Sequence, residues 1–105
     1  MDNIEITKVE VLATNELSVT PVINWNDFFQ LIYRTATGVV WNERNQCFMS
    51  PVPKEWSHFD WYANIVTSVI SEMGVNLIIT PETKWLNVPE RLKKEIIKYD
   101  PTINT

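Results

Sequence analysis

A chain of 105 residues, 45% hydrophobic and 21% charged, has the apolar content for one core and too little length for two. Its net charge of −4, with 9 Lys and Arg against 13 Asp and Glu, argues against phosphate-driven nucleic-acid binding, which needs clustered cations. No segment approaches the ~20 apolar residues of a membrane-spanning helix, and the polar opening Asp2, Asn3, Glu5 is wrong for a signal peptide.

In chain order, Ile4, Ile6, Val9 and Val11 alternate with polar residues and predict a strand. The apolar parity switches between Ile6 and Val9, which implies a bulge near Thr7 and Lys8 or burial of both faces. Ala13 to Glu16 reads as a turn, and Leu17, Val19 and Pro21 as a second strand completing a hairpin. Asn24 can cap a helix carrying Phe28, Leu31 and Ile32, which should end before Gly38. Val39 to Trp41 and Gln46 to Met49 flank the turn formers Asn42 to Asn45, a second hairpin.

The prolines at 51 and 53 make a rigid loop. Ser57 and Asp60 then have the spacing of a capping box, with Trp56 placed to staple onto Trp61. Phe59, Tyr62, Val66, Val69, Ile70 and Met73 form a core-facing stripe, and Gly74 ends the helix. Val75 to Ile79 reads as a buried strand, and Thr80-Pro81-Glu82 as the start of a single helical turn. A last helix opens at Asn87 or Val88 before Pro89, carries Leu92, Ile96, Ile97 and Tyr99, and stops at Asp100-Pro101. The basic residues Arg91, Lys93, Lys94 and Lys98 alternate with Glu90 and Glu95, as on a solvated helix face.

The order ββαββαβα predicts one α+β domain over residues 1–105: a single sheet of about five strands packed by two or three helices. Leu17 to Ile79 traces βαββαβ, the order of a ferredoxin-like split βαβ sandwich, with a first strand and last helix added. A largely antiparallel sheet with helices on one face satisfies the same order.

Chemistry-bearing residues are few. His58 is the sole histidine and Cys47 the sole cysteine, so no metal-ligand spacing exists and no internal disulfide can form. A reducing cytoplasm is the expected compartment. Ser57, His58 and Asp60 imitate a catalytic triad, but neighbouring helix positions point apart, and capping accounts for Ser57 and Asp60. A Cys47–His58 dyad is the remaining catalytic option, and capping and burial explain both regions more simply. No glycine-rich phosphate loop or dinucleotide fingerprint occurs, which implies no cofactor.

Five tryptophans exceed what a small interior can hide. Arg34, Trp41, Trp56, His58 and Trp85 are the candidate binding residues, forming an interaction surface or the mouth of a shallow pocket. The run Ile32-Tyr33-Arg34 with Gly38 and Trp41, and then Trp56-Ser57 with Asp60-Trp61, resembles small uncharacterised bacterial proteins carried on mobile elements such as integron cassettes. The resemblance implies a single-domain accessory protein and carries no functional residue across. The expected function is a non-catalytic protein-binding module, immunity- or antitoxin-like. Its expected partner is a protein with a basic surface or a second copy of the chain as a homodimer, with no nucleic acid and no membrane. A small-molecule binder with an aromatic pocket is the alternative, and an enzyme comes last.

Overall fold

The structure is a computed structural model that describes residues 2–22, 38–51 and 55–99. It is a mixed α+β fold with six strands: β1 (Asp2–Val11), β2 (Leu17–Pro21), β3 (Val40–Asn42), β4 (Cys47–Met49), β5 (Val75–Ile78) and β6 (Lys84–Leu86). Two described helices accompany them, α1 (His58–Met73) and α2 (Glu90–Lys98). The helix expected from Asn24 onward lies outside the described residues, as does Arg34.

The strands form one sheet in the order β3-β4-β2-β1-β5, with β6 also paired to β1. β1 and β2 are antiparallel, and their register shifts between Ile6 and Lys8, where the apolar parity switches. Thr7 is the extra residue there, and its hydroxyl donates to the Thr20 carbonyl over 3.1 Å. The shift lets Ile4 and Ile6 below the bulge, and Val9 above it, all enter the core.

The first strand, expected as an addition to the βαββαβ core, is instead internal to the sheet. β1 pairs with β2 on one side and, in parallel, with both β5 and β6 on the other. A split βαβ sandwich would set β2 directly beside β5, and β1 is inserted between them. β5 and β6 behave as one interrupted strand. Between them Thr80–Thr83 forms a turn rather than the expected helical start, closed by a Thr83 N–H donating to the Thr80 carbonyl at 3.0 Å. The buried Thr83 hydroxyl donates to the Ile6 carbonyl at 2.6 Å and accepts from the Thr80 N–H at 3.0 Å. That hydroxyl bridges the break in the ladder. β6 is not legible as a strand in the sequence because Lys84-Trp85-Leu86 has no hairpin partner nearby and pairs with Lys8, Val9 and Glu10 at the other end of the chain.

α1 is built as its sequence requires. The Ser57 side chain accepts from the Asp60 N–H and the Asp60 carboxylate accepts from the Ser57 N–H, closing the capping box. Gly74 ends the helix in the left-handed conformation at φ 65°. α2 starts differently from the expectation: Pro89 is itself the N-cap and supplies no side-chain cap. Trp61, Tyr62, Ile65, Val66 and Val69 of α1, with Leu92 and Ile96 of α2, pack on the same face of the sheet as Ile4, Val9, Val19 and Phe48. Of the apolar residues that α2 carries, Ile97 is exposed.

Candidate functional site

Strand pairing orders the sheet into cross-strand rows, and the two faces differ. On the core face one row runs Trp41, Phe48, Val19, Val9, Trp85. The middle three residues are fully buried, while Trp41 and Trp85 are partly buried and packed against the core at its two edges. Trp41 meets Phe48 edge-on at 4.9 Å, and the Lys93 ammonium lies 5.5 Å from the Trp85 ring. Two of the five candidate residues therefore seal opposite ends of one hydrophobic layer.

Two more stand at the N-terminus of α1. Trp56, 42% exposed, packs on the buried Trp61 at 4.6 Å, as the staple spacing implied. Gly38 lets Trp61 in: at φ 81° it brings its α-carbon so close that an added Cβ would lie 3.2 Å from both Trp61 and Pro51. His58 Nε2 donates to the Asn15 carbonyl at 2.9 Å, tying α1 to the tip of the β1–β2 hairpin. The ring also borders an open cleft of about 390 Å³ shared with Phe59, Pro89, Arg91 and Leu92. His58 thus reaches the hairpin from the helix side, while Cys47 lies on the opposite face of the sheet, so no Cys47–His58 dyad is assembled. Among the described residues, no group of three or more His, Cys, Asp or Glu lies close enough to hold a metal.

Neither described helix packs on the second face. Its matching row runs Val40, Met49, Ser18, Glu10, Leu86 across five strands. The apolar ends are open to solvent, Val40 by 51% and Leu86 by 43%. The polar centre contains a trough. Ser18 is short and buried between longer neighbours, with Lys8 and Glu10 on β1 to one side and Cys47 and Met49 on β4 to the other. Leu12 and Asn45 complete the lining of a space of about 270 Å³. Lys8 Nζ lies 3.4 Å from Glu10 Oε1 along one strand face. Burial pushes the Cys47 thiol up from its ordinary value, with the Ser18 hydrogen bond and the Lys8 charge opposing only in part, so it is a neutral thiol at physiological pH. The sequence carries a signal for this face in the period-two pairing of Lys8 and Glu10 with Ser18 and Thr20. The register that brings them together is not written in that local pattern.

This arrangement defines a small α+β protein with one sheet face under helices and one polar face edged by apolar residues. The chain belongs to the Hfx_Cass5 integron cassette protein family, whose model matches residues 2–83. It is similar to the solved structure of integron cassette protein Hfx_Cass5 from the mobile metagenome of North West Arm sewage outfall. The two share 38% identity over 92% of this chain and 94% of that one, with a TM-score of 0.46. No curated protein matches the chain. Neither the family's name nor the relative's states an activity. Among the described residues, no helix is long and apolar enough to cross a membrane.

Proposed function

We propose that this protein is a non-catalytic protein-binding module of bacterial accessory type, immunity- or antitoxin-like in role, whose contact surface is the second face of the sheet. The row from Val40 to Leu86 carries the reading. Large apolar side chains stand open at both ends of a face that neither described helix covers, around a polar centre that can fix orientation. The net charge of −4 favours a partner with a basic surface, and a homodimer built on the same face fits as well. The scattered placement of His58 and Cys47 supports the absence of catalysis in this reading.

A binder with an aromatic pocket has less support. The cleft that includes Tyr62 and Tyr99 measures about 190 Å³, below the roughly 300–1,000 Å³ of drug-sized ligand sites. The larger cleft of about 390 Å³ at His58 has one aromatic ring besides the imidazole, Phe59, and the charged Arg91 and Glu95 in its lining. The test of the main reading is native mass spectrometry of the chain co-expressed with the products of its neighbouring genes. A complex or homodimer that Val40→Glu with Leu86→Glu dissolves supports it. A chain that stays monomeric and alone, or a complex untouched by both substitutions, removes it.

A further inference from the structure

The trough at the polar centre of the second face has a chemistry of its own. It runs along β2, closed at one end by Leu12 just beyond β1 and at the other by Asn45 just before β4. Its charged groups are one cation and one anion, Lys8 and Glu10, both only partly exposed and 3.4 Å apart. Its floor is neutral, a buried hydroxyl and a buried thiol. Leu12 and Met49 add apolar wall, and the Asn45 amide can both donate and accept.

We infer that this trough binds a small zwitterion with the size and charge pattern of a free α-amino acid. A simple anion would engage Lys8 and leave Glu10 facing a like charge, and a simple cation would do the reverse over Lys8. Partly desolvated charges make either arrangement costly. A zwitterion places its carboxylate at Lys8 and its ammonium at Glu10, converting one ion pair into a ring of alternating charges with no net change. The volume of about 270 Å³ falls just under the roughly 300–1,000 Å³ range of drug-sized ligands, which sets the ligand below that size. The apolar wall at Leu12 and Met49 favours an aliphatic side chain such as that of leucine over glycine. The site lies within the proposed contact face, but binding needs no protein partner, so a titration of the purified chain reads it separately from the interaction reading.

The test is amide chemical-shift titration of the purified chain with leucine, glycine, isocaproate and isoamylamine. Isocaproate and isoamylamine are the leucine skeleton without its ammonium and without its carboxylate. The expected result is saturable shifts at millimolar leucine centred on Lys8, Glu10, Ser18 and Asn45, with both single-charge analogues at least tenfold weaker. Lys8→Met and Glu10→Gln should each weaken leucine binding at least tenfold. No saturable shift for leucine, equal binding of either analogue, shifts centred elsewhere, or wild-type affinity in folded Lys8→Met and Glu10→Gln would each overturn the inference. If a variant does not fold, the analogue series on the wild-type chain decides alone.

Discussion

Trp41 and Trp85 occupy the two ends of a single cross-strand row, with Phe48, Val19 and Val9 between them. Four strand spacings separate them, roughly 19 Å at about 4.8 Å per step. Each ring shields one edge of the core without touching the other, so their contributions to stability should add. Trp41→Ala and Trp85→Ala are each expected to destabilise by about 2–3 kcal/mol, below the ~3–5 kcal/mol of a fully buried ring because both remain partly exposed. Urea unfolding of the two singles and the double should give a coupling under about 0.5 kcal/mol. A coupling above ~1 kcal/mol would mean that the rings share a contact this geometry denies them.

The two glycines separate backbone strain from crowding. Gly74 has φ 65°, and a methyl group added there would have nothing within 4 Å, so Gly74→Ala meets strain alone, about 1–2 kcal/mol. Gly38 has φ 81° and would press its methyl against Pro51 and Trp61 at 3.2 Å. Overpacking adds roughly 1–3 kcal/mol to the strain there. Thermal melts should rank Gly38→Ala clearly below Gly74→Ala, and equal losses would contradict the close approach of Trp61.

Thr83 replaces missing ladder bonds where β5 gives way to β6. Thr83→Val keeps the shape but leaves the Ile6 carbonyl and the Thr80 N–H without this partner, at about 1–3 kcal/mol. Thr83→Ser retains the hydroxyl and should recover most of the loss. Amide exchange at Thr80 offers a local readout: faster in the valine variant, near wild type in the serine variant.

Much of the fold is readable in the residues themselves. Ser57 with Asp60, Trp56 with Trp61, Gly74, and the parity switch at Thr7 each encode a local geometry through side-chain chemistry a few positions apart, and the structure contains all four. The position of β1 is not legible, because burial on both flanks reads the same whether a strand is inserted or added at an edge. Trp41 and Trp85 look like surplus aromatics in the sequence. Only the long-range register shows that they close a row, and only the same register assembles Lys8, Ser18 and Cys47 from three strands.

Alkaline pH should destabilise the fold. Burial raises the Cys47 thiol above its ordinary 9.0, and burial, with the nearby Tyr99 second, raises Tyr62 above its ordinary 10.0. Groups raised in the folded state contribute stability that is intact below the unfolded value and lost as pH climbs past it. The urea midpoint should therefore hold at neutral pH and fall from about pH 9 upward, and Cys47→Ala should blunt the first part of that fall. A midpoint that rises through this window would contradict the burial of both groups.

The most direct test of the interaction surface is the mass of the native assembly formed by the chain and its neighbouring gene products, compared between wild type and the Val40→Glu, Leu86→Glu double variant. Both side chains are exposed, so the variant should keep the wild-type melting profile while losing the assembly. An assembly of unchanged mass and strength in the folded variant, or none in the wild type, would contradict the assignment of the second sheet face as the binding surface.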